Sequence, residues 1–398
     1  MRILMISDVY FPRVNGVSTS IQTFRRDLIA AGHRVLLVAP GYPGLAPEQD
    51  ADIIRVKSWR VPRDPEDRYM SRRAIRALWP IIQAAQPDII HVQTPFVAHY
   101  AGIEIARRLG VPVLETYHTY FEHYLQHYVP AVPGTWLRAF SRWFTQRQCR
   151  QVDALISPSQ PMADVLAAYG VATPLHVIPT GLDPSRFQDG EGAKFRALHG
   201  IGTRPMALFV GRVAHEKNID FLLVMLRRLI QKIPDVLLVI AGEGPAVPHL
   251  KQEIMNAGLA ANTQMIGYLE RNSTLLDCYH AADVFVFASR TETQGLVLLE
   301  AMAQGTPVVS TAVMGTAEVL RDARGAIVSQ ESAQVFSDAV AVVLKDPALR
   351  EKLSVAAKVD AARWSSVQCA RCAADLYQGL LGLHAAASPD KFLAEAKG

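Results

Sequence analysis

The sequence predicts an α/β protein of two domains, each built on a parallel sheet with helices on both faces. The chain has 398 residues, which is longer than one hydrophobic core usually organises. Short β-rich runs alternate with amphipathic segments, and this alternation restarts near the middle of the chain. Half of the residues are hydrophobic, so a large core is possible. We therefore expect two domains of similar length.

Strands are expected at regular intervals in both halves, because the apolar runs are short and rich in β-branched residues. In the first half the expected strands are Arg2–Ile6, Arg34–Ala39, Ile53–Val56, Ile89–Val92, Val113–Thr116, Leu155–Ser157 and His176–Ile178. In the second half they are Met206–Val210, Val236–Ala241, Gln264–Ile266, Val284–Ala288, Val308–Thr311 and Ala326–Val328.

The domain boundary is expected near residue 190. The loop from Pro179 to Pro184 has the composition of turns, and a polar stretch follows it, as is typical of a junction. Residues 1–190 would then form the N-terminal domain and residues 191–365 the C-terminal domain. After about residue 365 the chain reads as helix with no strand to follow, so residues 366–398 are expected to pack back on the first domain and to fray at the end.

Composition argues against several classes of protein. No apolar run approaches the ~18 residues of a membrane-spanning helix, and the chain enters a strand at Arg2 without the features of a signal peptide, so a cytoplasmic protein is expected. Cys369 and Cys372 form an isolated C-x-x-C, which lacks the second pair of a zinc ribbon, so no metal is assigned to it. The net charge of +4 arises within the first 185 residues, and no nucleic-acid-binding motif accompanies it.

Two glutamates stand eight residues apart at a predicted loop and helix in the second half. Glu292 lies in the loop, and Glu300 lies within an otherwise apolar helix, where a carboxylate is costly unless it meets donors. Ribose hydroxyls would supply such donors, and the helix start at Gly295 offers amide hydrogens to phosphate oxygens. Taken alone, the pair favours an ordinary interpretation, in which Glu292 is a charge near a helix N-terminus and Glu300 is a partly buried glutamate.

Two cations on another loop of the same half favour a ligand site. Arg212 and Lys217 follow the predicted strand Met206–Val210, and sheets of this class bind ligands beyond the carboxyl ends of their strands. Arginine offers two parallel donors to a phosphate and lysine a compact charge. A solvated pair of surface charges is the alternative, but both glutamates and both cations at strand ends of one domain are a less common combination.

At this point the sequence resembles a known family, the large bacterial group of retaining GT-B glycosyltransferases with an E-x7-E motif. The resemblance runs from Met1 to about Gln368, and at Thr180 the chain departs from relatives that have Asn. Its landmarks are Val14-Asn15-Gly16-Val17, Tyr117-His118-Thr119, Pro179-Thr180-Gly181-Leu182-Asp183, Val210-Gly211-Arg212, Glu216-Lys217-Asn218, Gly242-Glu243-Gly244-Pro245, Glu292 and Glu300. The resemblance implies two Rossmann-like domains that face each other across a donor-binding cleft.

The resemblance also implies roles for individual residues. The residues implied in catalysis are His118, Arg212, Lys217 and Glu292. The residues implied in donor binding are Gly16, Gly211, Arg212, Lys217, Gly267, Tyr268, Glu292, Gln294, Gly295, Leu296, Val297 and Glu300. Arg212 and Lys217 would hold the diphosphate, Glu292 the hexose, Glu300 the ribose, and the backbone at Gly267 and Tyr268 the base.

The implied reaction is transfer of a hexose with retention of the anomeric configuration and without a metal or other cofactor. UDP-glucose is the favoured donor, and GDP-mannose is the alternative. Fixed cations and backbone dipoles would receive the charge of the departing nucleotide. The chain does contain a D-x-D sequence, Asp50-Ala51-Asp52, but it lies far from the donor motifs and is interpreted as a solvated turn.

The acceptor is expected to be a lipid at an anionic membrane surface. Two stretches of the first half are basic and aromatic, residues 55–79 and the acid-free segment from Trp136 to Arg150. Trp136, Phe140, Trp143 and Phe144 recur at helical spacing, which is equally compatible with a buried stripe and with an interfacial one. The segment Tyr117–Tyr128 resembles diacylglycerol glucosyltransferases, which favours the interfacial interpretation.

Other classes remain open at this stage. A soluble sugar or polysaccharide acceptor, a nucleotide-sugar epimerase of the same fold and a sugar-binding protein without activity all fit part of the pattern. A dehydrogenase is less favoured, because Gly242-Glu243-Gly244 lacks the third glycine of the dinucleotide motif.

Overall fold

The computed structural model describes residues 1–61, 64–118, 134–183, 190–271 and 273–387 of the chain. These residues form two compact units. The first unit comprises the described residues up to Gly181 together with those from Ser366 onward, and the second unit runs from Leu182 to Ser365. The units therefore divide a few residues before the boundary expected near residue 190.

The described strands and helices alternate along most of the chain. The strands are β1 (Arg2–Ile6), β2 (Arg34–Pro40), β3 (Ile53–Val56), β4 (Ser58–Val61), β5 (Asp64–Met70), β6 (Ile89–Val92), β7 (Val113–Thr116), β8 (Ala154–Ser157), β9 (Leu175–Val177), β10 (Met206–Val210), β11 (Leu237–Ala241), β12 (Thr263–Gly267), β13 (Val284–Phe287), β14 (Val308–Ser310) and β15 (Ala326–Val328). The helices are α1 (Gly16–Ala30), α2 (Arg72–Ala77), α3 (Trp79–Ala85), α4 (Val97–Leu109), α5 (Gly134–Cys149), α6 (Gln160–Ala168), α7 (Gly192–Leu198), α8 (Ile219–Ile230), α9 (Val247–Asn256), α10 (Thr274–Ala281), α11 (Leu296–Ala303), α12 (Gly315–Leu320), α13 (Ala333–Lys345), α14 (Pro347–Ala362) and α15 (Ser366–Ala387).

The first unit is built on a seven-stranded parallel sheet in the order β3-β2-β1-β6-β7-β8-β9. Successive side chains of β1 enter opposite cores, since Leu4 and Ile6 pack with α4 while Ile3 and Met5 pack with α1 and α15. The central strand β1 lies between β2 and β6, so the strand order reverses there. Loops at the carboxyl ends of β1 and β6 consequently meet at a position where such sheets bind ligands.

Helix α15 completes the first unit rather than the second. It packs along α1, and the Tyr377 hydroxyl is hydrogen-bonded to Nδ1 of His91 at 2.7 Å inside the sheet. Burial lowers the pKa of His91 to about 3, so the ring stays neutral near pH 7. The His384 ring also donates to the Gly110 carbonyl at 2.9 Å.

A surface hairpin was not predicted from the sequence. Strands β4 and β5 pair antiparallel, with Trp59 opposite Tyr69 and Arg60 opposite Arg68. Both aromatic rings are about half exposed. Among its described side chains, Trp59, Arg60 and Tyr69 are exposed, so they do not show the alternation of apolar and polar side chains that identifies a half-buried strand.

The second unit is built on a six-stranded parallel sheet in the order β12-β11-β10-β13-β14-β15. Its apolar residues form one continuous core on both faces of the sheet. Strand β10 has its successor β11 on one side and β13 on the other, so the order reverses between β10 and β13. The loops that follow these two strands therefore lie at the ligand-binding edge of the sheet. No helix in the described ranges is long and apolar enough to cross a membrane.

Candidate active site

Glycines allow three strand-end loops of the second unit to stack against one another. A Cβ on Gly242 would lie 2.0 Å from the Gly211 carbonyl oxygen, and a Cβ on Gly244 would lie 2.3 Å from that of Val213. Both glycines have positive φ, 139° and 156°. Two backbone hydrogen bonds hold the loops together: the Gly211 amide donates to the Ala241 carbonyl at 3.0 Å, and the Gly242 amide donates to the Gly267 carbonyl at 2.7 Å. The loop with Arg212 is thereby fixed at the sheet edge.

The loop after β10 places Lys217 in contact with Glu292, so that two residues predicted for the donor site meet. Residues His215–Lys217 form a short 3₁₀ turn that ends at Asn218 in the left-handed region, and Lys217 Nζ donates to Glu292 Oε1 at 2.6 Å. The two side chains are only 19% and 18% exposed. Arg212 is similarly covered, with Nη1 3.9 Å from Glu216 Oε1. The sequence predicted these residues at one site, and the structure places Lys217 and Glu292 in contact.

The loop after β13 leads into the start of α11 through two close backbone approaches. Gly295 has φ of 93°, and a Cβ there would lie 2.8 Å from Thr316 Cγ2. The Gly315 amide donates to the Glu292 carbonyl at 2.9 Å, which ties α12 to the same loop. Gln294 is buried, and Leu296 opens a helix without an acidic residue in its first turn. The positive end of this helix is therefore available to an anion without a competing carboxylate.

Glu300 already has protein donors, contrary to the sequence argument that ribose hydroxyls must offset its burial. The residue is 4% exposed, Tyr279 donates to its Oε2 at 2.9 Å, and Arg271 forms an ion pair with its Oε1. Burial and the charge of Glu300 both raise the pKa of Tyr279 well above its usual value. Each carboxylate oxygen retains capacity for a further hydrogen bond. The ribose role thus stays a prediction, and burial alone does not argue for it.

Sequence reasoning missed Arg271 and Tyr279 as partners of Glu300. Arg271 lies in the loop after β12, Tyr279 lies on α10, and neither belongs to a recognisable motif.

Two further residues predicted for donor binding lie at the end of the edge strand β12. Gly267 has φ of 72°, and the Tyr268 ring beside it is about half exposed. An exposed ring at a sheet edge is a suitable surface for a planar base.

In the first unit, His118 lies next to the end of β7 and donates from Nε2 to Gln93 Oε1 at 3.1 Å. Burial lowers its pKa to about 4, so the ring is neutral near pH 7. Gly16 begins α1, and a Cβ built there would meet no atom within 4 Å. The idea that its missing side chain makes room for the donor therefore stays a prediction. The rest of the segment to Tyr128 lies outside the described residues.

A buried carboxyl group that the sequence did not single out lies at the end of β1. Asp8 Oδ2 accepts hydrogen bonds from Thr94 Oγ1 (2.9 Å) and from the Ala98 amide (3.0 Å). Its Oδ1 is buried without a hydrogen-bond partner among the described residues. Burial raises the pKa of Asp8 to about 7. Sequence alone offered only an aspartate after a strand, which is common.

Helix α5 carries three of the four aromatic residues of the stripe on its outside. Trp136 is 74% exposed, and Phe140 and Trp143 are about half exposed, while Leu137 and Ser141 face the unit. The arginines of this segment are also exposed: Arg138, Arg142 and Arg147 on the helix, and Arg150 directly after it. The interpretation as core is therefore wrong for Trp136, Phe140 and Trp143, whereas Phe144 is half-buried. Binding of a membrane by this face stays a prediction.

Some of the predicted basic stretch from Arg55 to Arg76 is neutralised by acids. Arg55 lies 2.8 Å from Glu48, and Arg76 contacts Glu104 at 3.1 Å. At the hairpin, by contrast, the ammonium of Lys57 stacks over the exposed Trp59 ring at 5.7 Å. The exposed face of the hairpin therefore combines aromatic rings with cations, as helix α5 does.

Both aspartates of the D-x-D sequence form ion pairs with arginines of the first unit. Asp50 pairs with Arg25 at 2.7 Å, and Asp52 pairs with Arg34 at 2.9 Å. The Arg25 contact lowers the pKa of Asp50. Both carboxylates thus have a structural role at the edge of the sheet, which agrees with their interpretation as a turn.

Comparisons with known proteins match both units. A family model described as "Glycosyl transferases group 1" matches residues 193–360, and one described as "Glycosyltransferase Family 4" matches residues 14–186. The alpha-monoglucosyldiacylglycerol synthase of Streptococcus pneumoniae is 35% identical over 324 residues, which cover 78% of this chain and 71% of that protein.

Solved structures share the fold over nearly the whole chain. Sucrose-phosphate synthase from Thermosynechococcus elongatus matches with a TM-score of 0.78 at 21% identity and covers 96% of this chain and 99% of that one. HepE of Anabaena, solved in complex with UDP, matches with a TM-score of 0.74 at 16% identity and covers 95% and 100%. At these identities the likeness concerns the fold.

Proposed function

Because the chain belongs to the group 1 glycosyl transferases and has their GT-B fold of two Rossmann-like domains, we propose that it is a retaining glucosyltransferase that acts on a lipid at a membrane surface. The proposed donor is UDP-glucose, and no metal takes part in the reaction. The Lys217–Glu292 contact at the point of strand reversal carries this proposal, because it joins a cation for the diphosphate to a carboxylate for the sugar. The glucosyl group and the lipid acceptor are supported by the name of the pneumococcal relative.

The diphosphate would bind between the loop after β10 and the start of α11. Arg212 and Lys217 supply two cations, and the first turn of α11 supplies backbone amides at the positive end of a helix. The stacked glycine loops fix these groups before the donor arrives. Preorganised donors of this kind stabilise the charge that develops on the leaving group.

The rest of the donor would extend along the same edge. Glu292 would accept hydrogen bonds from the glucose hydroxyls. Glu300, oriented by Arg271 and Tyr279, would use its remaining lone pairs for the ribose hydroxyls. The exposed ring of Tyr268 and the backbone of Gly267 would receive the base.

The proposed transfer breaks the bond between the anomeric carbon and the diphosphate oxygen and forms a bond from the same face to the acceptor hydroxyl oxygen. The acceptor proton passes to the departing phosphate, so that atoms and charges balance. His118 stays neutral at working pH because burial lowers its pKa to about 4. It can therefore position a sugar hydroxyl by hydrogen bonding without adding positive charge.

Two exposed surfaces of the first unit support a membrane acceptor. On α5 the rings of Trp136, Phe140 and Trp143 point outward beside arginines, and on the hairpin Trp59 and Tyr69 do so beside Lys57. Exposed apolar surface rimmed by cations is typical of proteins that bind anionic membrane interfaces. A peripheral position on the inner face of the membrane follows from this proposal.

A single experiment tests the donor, acceptor and stereochemistry together. UDP- and GDP-sugars are incubated with diacylglycerol vesicles or soluble sugars in the presence of EDTA, and the product mass and anomeric configuration are measured. We expect an α-glucosyl lipid from UDP-glucose with EDTA present. Transfer from GDP-mannose, a soluble product, an inverted product or a requirement for added Mg²⁺ or Mn²⁺ would each replace the corresponding part of the proposal. Free epimer without acceptor would indicate an epimerase.

A further inference from the structure

Two histidines and an aspartate from three elements meet at the surface of the second unit. His215 opens the 3₁₀ turn after β10, Asp220 lies in the first turn of α8, and His249 lies on α9. Their ligand atoms all lie within 4.8 Å of one another, and His249 Nε2 donates to Asp220 Oδ1 at 2.9 Å. From this grouping we propose that the three side chains bind a divalent transition-metal ion, with Zn²⁺ as the best fit.

The ligand chemistry favours Zn²⁺ over Mg²⁺ or Ca²⁺. Imidazole nitrogen suits zinc and its neighbours, whereas Mg²⁺ and Ca²⁺ prefer sets made of oxygen alone. Two histidines and one carboxylate form a common zinc set that leaves a fourth position for water. With zinc-ligand bonds of ~2.0–2.1 Å, tetrahedral ligands lie about 3.4 Å apart. The 2.9 Å contact of His249 and Asp220 is already close to that spacing.

The third ligand can reach the same centre by side-chain rotation. The His215 and His249 rings lie 5.2 Å apart between centroids, and both side chains are exposed. Their backbones are fixed, because the Asn218 amide closes the turn on the His215 carbonyl at 3.1 Å and Leu250 anchors α9 in the core. An ion would replace the proton that His249 and Asp220 share.

Such an ion would tie the loop after β10 to α9. Lys217, whose ammonium contacts Glu292, follows His215 by two residues on the same turn. The ion would therefore restrict the segment that presents Lys217 without using any residue assigned to the donor. This role is a structural clamp, and it goes beyond the proposed reaction, which uses no metal.

Cobalt binding tests the site directly. Purified protein is titrated with Co²⁺, the visible d–d absorption is recorded, and bound Co²⁺ is displaced with Zn²⁺. We expect one ion per chain in the wild type and at least a ~100-fold loss of affinity in His215→Gln and in His249→Gln. His176→Gln, which changes an exposed histidine on β9 in the first unit, is the matched control and should bind as the wild type does.

Hydrogen exchange provides a second readout that does not depend on absorption. Zn²⁺ should slow exchange of the Lys217 and Asn218 amides in the wild type and leave it unchanged in His249→Gln, whose fold is checked by circular dichroism. Absence of d–d bands in the wild type, or equal affinity in all variants, overturns the proposal. A strong sulfur-to-cobalt charge-transfer band would assign the ion to Cys369 and Cys372 instead, and would also overturn it.

Discussion

The exposed face of α5 makes a quantitative prediction about which arginines attract the membrane. At 3.6 residues per turn, successive residues are about 100° apart around the helix. Arg147 lies about 40° from Trp143 on the aromatic face, whereas Arg138 and Arg142 lie about 100° or more away. Arg150 follows the helix end, but its amide still donates to the Gln146 carbonyl at 3.1 Å, so it continues the turn and lies about 20° from Trp143. Arg142 is also engaged by its own unit, since its guanidinium stacks over Tyr169 at 5.3 Å.

The magnitude follows from the charge that faces the lipid. Each basic residue near an anionic surface contributes about 1 kcal/mol, so the double change Arg147→Gln and Arg150→Gln should cost about 2 kcal/mol, or about 30-fold in partition coefficient. The matched double change Arg138→Gln and Arg142→Gln removes the same charge but should cost less than about fivefold, because those side chains lie farther from the surface.

Vesicle co-sedimentation measures both variants against the wild type. Vesicles with and without anionic lipid are compared across a salt series, and UDP binding is followed separately to show that the donor site is intact. Binding of the wild type should rise with anionic lipid and fall as salt shortens the screening length. Equal losses in the two variants, or binding that ignores lipid charge, would contradict the orientation inferred for α5.

Three further predictions concern the two units separately. Lys217→Ala should lower turnover at least ~10-fold, because a preorganised cation for the diphosphate is lost, and near-normal turnover would exclude that role. Glu300→Gln should weaken binding of the natural donor more than that of a 2′,3′-dideoxy donor; equal losses would place the ribose elsewhere. The third change is Asp8→Asn. Burial raises the pKa of Asp8 from a usual 3.8 to about 7 in the folded protein, so folding favours the neutral carboxyl group. The wild type therefore loses stability as pH rises from about 3.8 to about 7. Denaturant unfolding should therefore show the free energy of unfolding of Asp8→Asn rising by about 3 kcal/mol relative to the wild type from pH 5 to pH 8. A difference that stays constant with pH would contradict the raised pKa.

The sequence predicted the sheet strands well because most of them are buried and marked by a short apolar run. Strand Met206–Val210 and its neighbours on both sides were placed within two residues of their observed ends. The hairpin from Ser58 to Met70 was missed, because its described residues Trp59, Arg60 and Tyr69 are exposed and form no apolar run. Short apolar runs were therefore the signal that the sequence carried.

The candidate site divides in the same way. Arg212, Lys217 and Glu292 follow buried strands, so their position at one sheet edge could be predicted from the order of strands and loops. The partners of Glu300 could not, since Arg271 and Tyr279 reach it from segments that share no motif. Likewise the contact between His249 and Asp220 depends on how α8 and α9 pack, which the sequence does not state.

The return of α15 to the first unit has a consequence for synthesis of the chain. The face of the first sheet that carries Ile3 and Met5 is covered in part by Tyr377, which comes after the whole second unit in the order of translation. At about 5–20 residues per second, the ribosome needs on the order of ten seconds or more to make the intervening segment. Until α15 is synthesised, this apolar face of the nascent first unit therefore stays partly uncovered. The second unit, whose core is continuous in sequence, can fold first. Chaperones that hold exposed apolar surface would act on this protein during that interval.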